Sequence, residues 1–206
     1  MSVPRVRRRP EEARQAILDA AATLLAEGGP AAVQVRAVAA RVGMTDAGVT
    51  HHFRNRQTLL TELLRHGGRR LRAGLASIVA AWLDDNADLP ALITALHDFY
   101  RGGYADLAVA LHAAGWRDRG SGMLDPVVEA LHRARPPGSS LDDTRHAVAA
   151  LHQAVAMDVR YGSAFRRSAG LTDAAATFDA HAQWWAHHLE TTLGLSAPGR
   201  AQGSSM

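Results

Sequence analysis

Short polar side chains and arginines lie together in one stretch near the N-terminus. The polar groups short enough to contact base edges are Thr45, Asp46, Thr50 and His51. Arginines that can meet phosphates stand on both sides of them, at Arg36, Arg54 and Arg56. Hydroxyl, carboxylate and imidazole groups hydrogen-bond to bases, whereas guanidinium groups neutralise the phosphate backbone. The residue types therefore favour contact with nucleic acid.

These side chains need two short helices and a tight turn to present them. Residues 34–42 predict the first helix, and Gly43 ends it because glycine tolerates the left-handed conformation of a helix cap. Thr45 can cap a second helix that runs to about His52. The small apolar residues that can bury the crossing are Val38, Ala39, Val42 and Val49. The pattern predicts a helix-turn-helix, in which the outer face of the second helix reads bases.

The register of this segment resembles the TetR family of transcriptional regulators. The matching run is VRAVAARVGMTDAGVTHHFRNRQTLL, from Val35 to Leu60. The preceding helix matches as well, with ILDAA from Ile17, the two leucines at 24 and 25, EGG from Glu27, and Val33. The resemblance covers about residues 11–62. Beyond it, the chain matches the family only in length and helical layout.

The resemblance implies an N-terminal three-helix DNA-binding domain and a fourth helix that links it to an effector-binding core. It also implies a homodimer through the helices near 141–164 and 172–193. Phe53 would anchor the core beneath the recognition helix. The residues implied to contact DNA are Arg36, Thr45, Asp46, Ala47, Thr50, His51, His52 and Arg56.

Three of these positions differ from what such an interface usually carries. Thr50 stands where the family usually has tyrosine, and its hydroxyl can donate a hydrogen bond or its methyl can touch thymine. Arg56 stands where the family usually has a lysine that contacts phosphate, and arginine pairs phosphate through a planar fork. Asp46 repels phosphate, so we favour a capping role for it over acceptance from a cytosine amino group.

The whole chain predicts an all-α fold of about nine helices. We expect residues 1–55 to form the basic arm and helix-turn-helix domain, residues 56–195 a helical ligand-binding and dimerisation domain, and residues 196–206 a disordered tail. The helix from 56 to about 83 would join the two domains, with glycines at 67, 68 and 74 as candidate flex points. The later helices are predicted near 89–102, 106–116, 125–134, 141–164 and 172–193.

Composition and charge agree with this division. The 206 residues are 47% apolar and 21% charged, as in a globular protein, and no apolar run reaches the roughly 18 residues of a spanning helix. Residues 1–56 hold nine arginines and five acids, so the excess positive charge lies there. The arm from Arg5 to Arg9 either contacts DNA or is a solvated tail. The basic start lacks a signal-peptide pattern, so we expect a cytoplasmic protein with no membrane partner.

The sequence predicts a ligand-responsive regulator, a repressor released from a pseudo-palindromic operator by a small-molecule effector. The alternative is an all-helical enzyme or carrier with an incidental helix-turn-helix, but no catalytic motif, cofactor motif or metal-ligand spacing supports it, and we expect no cofactor. Aromatic and histidine side chains among apolar ones suit an effector cavity. Its candidate lining residues are Trp82, His97, Tyr100, His112, Trp116, His152 and Met157.

Overall fold

The computed structural model describes residues 9–82, 88–117, 120 and 122–195, with the backbone alone at 81 and 82. The expectations for Arg5, Arg7 and Arg8 and for the tail 196–206 lie outside these residues. Most of the described residues are helical and none of them is in a strand, which confirms the all-α prediction. The α-helices are α1 (Pro10–Ala32), α2 (Val35–Val42), α3 (Asp46–Phe53), α4 (Arg56–Trp82), α5 (Leu89–Phe99), α6 (Ala105–Ala113), α7 (Asp125–Arg133), α8 (Leu141–Met157), α9 (Ser163–Ser168) and α10 (Phe178–Leu193). None of the described helices is long and apolar enough to cross a membrane.

The chain divides into two compact units. Among the described residues, unit 1 comprises 9–67 and 102–117, and unit 2 comprises 68–101, 120 and 122–195. The division differs from the expected boundary after residue 55, because the start of α4 and all of α6 belong to unit 1. Leu107 and Leu111 of α6 are fully buried and join the core of α1, α2 and α3.

The core of unit 1 follows from helical periodicity. Ile17 and Ala21 of α1, Val38 of α2 and Phe53 of α3 are each no more than 1% exposed. Burying a large apolar side chain contributes about 1.5–3 kcal/mol, so these positions hold α1, α2 and α3 together. The Gly28-Gly29-Pro30 sequence breaks α1, since Gly29 has a φ of 66°, and a short further turn then continues to Ala32.

Helix α4 runs unbroken through its glycines. Gly67 is buried, and the ring of Tyr104 lies where a side chain at position 67 would be. Gly74 faces open space instead. Gly67 therefore serves close packing within unit 1, which differs from the flex point expected there.

In unit 2, the predicted helix 141–164 contains a change of winding. A π-helical segment, Asp158–Gly162, separates α8 from α9, and a second one, Tyr100–Tyr104, comes after α5. A π turn adds a residue to the helical turn and rotates the residues beyond it about the helix axis. Val155 and Val159 are four residues apart, as on one face of an α-helix, but Val159 is 36% exposed while Val155 is buried. The last helix begins at Phe178, with Thr177 as its cap, six residues later than predicted.

Candidate nucleic-acid interface

The turn between α2 and α3 has the geometry that the sequence predicts. Gly43 is left-handed, with φ 74° and ψ 35°. Its amide and that of Met44 donate to the carbonyls of Ala40 and Ala39, at 3.3 and 2.9 Å, which closes the end of α2. A residue with a Cβ would be strained at this φ, so glycine sets the sharp angle between the two helices.

Helix α3 buries one face and exposes the other. Val49 and Phe53 are buried in the core of unit 1. The predicted DNA-contacting residues that are exposed on α3 or at its cap are Thr45, Asp46, Ala47, Thr50 and His51. The structure therefore brings the short polar groups to one accessible face. The Thr50 hydroxyl donates 2.8 Å to the carbonyl of Asp46, and its methyl group is left to meet apolar atoms.

The cap of α3 is Thr45 and not Asp46. The Thr45 hydroxyl accepts from the amide of Gly48 at 3.1 Å, as an N-cap does. Asp46 is the first residue within the helix, so the capping role favoured for it is wrong. Its carboxylate stands in the first turn, where negative charge is favourable beside the unpaired amides.

His52 is only partly exposed, unlike its neighbour His51. Burial lowers the pKa of the His52 imidazole, and the nearby His51 and Arg14 lower it further. Its carbonyl accepts 3.0 Å from the guanidinium of Arg14 on α1. Contact between His52 and DNA stays a prediction.

The predicted phosphate-binding arginines differ in their surroundings. Arg36, in the first turn of α2, is exposed. Arg54 is exposed too and has a φ of 60° and a ψ of −50°, while Asn55 donates 2.6 Å to the carbonyl of Phe53 across it. This is a γ-turn of the strained, positive-φ kind. It separates α3 from α4.

Arg56 is bound within unit 1. Its Nε donates 2.8 Å to the carbonyl of Val33, and its Nη2 donates 2.5 Å to the carbonyl of Pro30. A cation at the end of α1 satisfies carbonyls that the helix leaves unpaired. A phosphate contact would use the remaining N–H groups and stays a prediction.

Sequence reasoning missed Arg14, which contacts α3 and α4 at once. Its guanidinium lies 4.4 Å from the ring centroid of Phe53 and 2.8 Å from a carboxylate oxygen of Glu62. Its sequence separation from these partners is 38 residues or more, so local periodicity carries no signal for the contact. Only the packing of α1 against the other helices reveals it.

Three of the predicted effector-site residues lie in unit 2 and are hydrogen-bonded or ion-paired there. Tyr100 is bonded to the Nε2 of His152, and burial raises the pKa of its hydroxyl. His97 lies 3.3 Å from the carboxylate of Asp158 and stacks on Phe178, with ring centroids 3.6 Å apart. These contacts join α5 and the π-helical segment after it to α8, to the π-helical segment Asp158–Gly162 and to α10.

The other candidates for this site are dispersed. His112 and Trp116 belong to unit 1, where Trp116 packs against the core and His112 is exposed. Met157 is 41% exposed at the end of α8. The side chain of Trp82 lies outside the described part of the chain. No group of three or more possible metal ligands occurs in the regions that the structure describes.

The helix-turn-helix region is similar to that of known regulatory proteins. Residues 17–63 match the family model of bacterial regulatory proteins, tetR family. The HTH-type transcriptional repressor KstR2 of Rhodococcus jostii (strain RHA1) is 34% identical over 96 residues, 47% of each chain. The match thus spans about half the length of this curated relative.

Solved structures align over more of the chain. The superantigen PfiT aligns with a TM-score of 0.50 and 20% identity, over 92% of this chain and 100% of that one, and supports the fold alone. NalD, the secondary repressor of the MexAB-OprM multidrug efflux pump in Pseudomonas aeruginosa, aligns with a TM-score of 0.45 and 18% identity, over 90% and 98% of the two chains.

The fold and the exposed face of α3 define a helical protein with an N-terminal helix-turn-helix. The family match covers α2, α3 and most of α1, including the capped turn described above. Residues 17–63 therefore carry the helix-turn-helix region of the tetR family of bacterial regulatory proteins.

Proposed function

We propose that the chain is a transcriptional regulator that inserts α3 into the major groove of an operator. The observation that carries the proposal is the two-sided character of α3. Val49 and Phe53 are buried beneath it, while Thr50 and His51 are exposed. Exposed short polar groups on such a helix suit base edges, and flanking arginines suit phosphates. The protein would act in the cytoplasm, without enzymatic turnover.

Fluorescence anisotropy with duplexes from upstream of its own gene tests the proposal. Affinity should fall steeply with salt, because arginines that meet phosphates release counterions. Arg36→Ala should weaken binding to every duplex by a similar factor and reduce the salt slope by about one. Thr50→Ala should change the preference among duplexes. Arg133→Ala, which removes the same charge from α7, is the control. Binding to no upstream duplex at low salt would refute the proposal.

Repression by a homodimer is the second part of the proposal. The similar protein KstR2 is named a repressor, which supports the same sign of regulation here. Large apolar side chains are exposed on the last elements of unit 2, and such groups favour an interface. They are Met157, Val159, Tyr161, Phe165, Leu171 and Trp184. Trp184 stacks between His181 and His188, with ring centroids 6.1 and 5.1 Å away.

Light scattering during gel filtration tests the homodimer. Trp184→Ser should shift the population towards monomer at low micromolar concentration, since aromatic residues concentrate binding energy at interface centres. Val109→Ser is the matched control, because Val109 is 65% exposed but lies in unit 1. A monomeric wild-type protein, or equal effects of both variants, would contradict the proposed interface.

Release by a small-molecule effector in unit 2 is the third part. Tyr100 and His152 combine aromatic rings with hydrogen-bonding groups, which is the mixture of side chains typical of small-ligand sites. A compound that raises the thermal midpoint should also lower affinity for the operator. Tyr100→Phe should change the concentration needed for release and leave operator affinity without the compound unaltered. Conversion of the compound into a product would favour the enzyme alternative.

A further inference from the structure

The guanidinium of Arg14 holds the C-terminal end of α3. Its Nη1 donates 3.0 Å to the carbonyl of His52, and its Nη2 donates 2.8 Å to Oε2 of Glu62 on α4. The same group lies over the ring of Phe53, 4.4 Å from the centroid. One side chain of α1 thus contacts the last turn of α3 in two ways and fixes it to α4.

Helix α3 needs such support because it is short. It has eight residues, and an isolated helix of that length is unstable in water. The last carbonyls of a helix have no partner within it. The amide of Arg54 donates 2.7 Å to the carbonyl of Thr50, and the guanidinium of Arg14 donates to the carbonyl of His52. A cation at this end is also favoured by the helix dipole.

Glu62 in turn fixes the direction of Arg14. Its carboxylate is 19% exposed and also accepts 2.6 Å from Arg65, one turn along α4. Burial raises the pKa of Glu62, but the hydrogen bonds from Arg65 and Arg14 outweigh it and hold the pKa below its usual value. The carboxylate is therefore charged at neutral pH. Only a planar fork can serve a carbonyl and a carboxylate while lying on a ring, so lysine is a poor substitute for Arg14.

We propose that Arg14 and Glu62 are positioning residues, which we call the α3 clamp, that set the direction of the recognition helix and thereby the discrimination of operator from other DNA. The inference rests on the proposed function. Neither side chain belongs to the exposed face of α3, so neither is required to touch a base. If α3 changes direction, contacts with bases are weakened more than contacts with phosphates, because contacts with bases need a defined geometry.

Glu62→Gln separates this proposal from simple electrostatics. Removal of a negative charge from unit 1 should strengthen attraction to any DNA. The α3 clamp requires the opposite result for the operator, because the glutamine amide holds the guanidinium less firmly than a carboxylate does. Arg14→Lys keeps the positive charge and loses the fork, so a mere phosphate contact would survive it.

The experiment uses the full chain and two duplexes. One is selected from a random pool by the wild-type protein, and the other is a scrambled duplex of the same composition. Glu62→Gln and Arg14→Lys should each lower affinity for the selected duplex by about tenfold, the loss of roughly one charge-assisted hydrogen bond. Affinity for the scrambled duplex should stay the same, or rise for Glu62→Gln.

The matched controls come from a second fork ion pair in unit 1. Arg41 of α2 pairs with Glu27 of α1 at 2.9 Å, in an exposed position. Glu27→Gln and Arg41→Lys make the same charge changes and should alter the preference for the selected duplex less than about twofold. Thermal midpoints are measured for all four variants.

Three results would overturn the proposal. Unchanged affinity of both clamp variants for the selected duplex would show that the contact does not position α3. An equal fall for both duplexes, together with a lower thermal midpoint, would show that the contact serves only the fold of unit 1. Equal effects of the control variants would show a general response to charge. A wild-type protein that enriches no sequence would instead refute the proposed function itself.

Discussion

Unit 2 contains a buried ion pair, Asp158 and Arg166, and loss of one partner should strongly lower its stability. The two side chains are 5% and 9% exposed and are bonded to one another, and Arg166 also donates 2.9 Å to the carbonyl of Ala176. His97 lies on the second oxygen of the same carboxylate, at 3.3 Å. Asp158→Ala leaves a buried guanidinium without its counter-ion. Breaking such a pair costs about 3–5 kcal/mol, because the remaining charge has lost both water and partner.

Urea unfolding, followed by circular dichroism at one fixed protein concentration, measures this cost. Asp158→Ala should lower the free energy of unfolding of unit 2 by about 3 kcal/mol or more. Arg166→Met should lower the free energy of unfolding less, because the Asp158 carboxylate keeps its contact with His97. The double variant should lower it by less than the sum of the two single variants. The exposed pair of Arg145 and Asp142 is the control, and Asp142→Ala should cost less than about 1 kcal/mol. A loss below about 1 kcal/mol for Asp158→Ala, or strict additivity in the double variant, would refute the reasoning.

Three further predictions concern stability. Gly67→Ala should lower the free energy of unfolding by about 1–3 kcal/mol, because its methyl group would enter the ring of Tyr104; an unchanged value in urea titration would contradict this packing. Arg54→Gly should raise the free energy of unfolding by up to about 1 kcal/mol, since glycine adopts a φ of 60° without strain; a decrease would mean that the arginine side chain stabilises the turn. Burial lowers the pKa of both His97 and His181 below 6.5. The unfolded chain therefore takes up protons first, so the urea midpoint should fall as the pH drops below about 6.5, and His97→Gln should reduce that slope.

Much of the helix-turn-helix is determined by the sequence alone. Gly43 and Thr45 fix the ends of α2 and α3 through backbone conformation and a local hydrogen bond, which depend on residues only three positions apart. The burial of Val38, Val49 and Phe53 follows from helical period. These features are local, so each can be derived from a few neighbouring residues.

Other features were decided only by tertiary structure. Arg56 suits a phosphate by residue type, yet its guanidinium lies on carbonyls of α1 more than twenty residues away. Val159 continues an apolar period, but the π-helical segment turns it outward. The inclusion of α6 in unit 1 also depends on packing that no local pattern encodes.

The sequence thus determined which groups α3 offers to a ligand, because the chemistry of a face follows from residue type and helical spacing. Tertiary structure decided how that face is held. Arg14 contacts the carbonyl of His52, 38 residues away, and the carboxylate of Glu62, 48 residues away. The physical reason is that a guanidinium has several possible acceptors at every stage of folding. Its choice among them is made only when the helices pack and bring a carbonyl, a carboxylate and an aromatic ring within its reach.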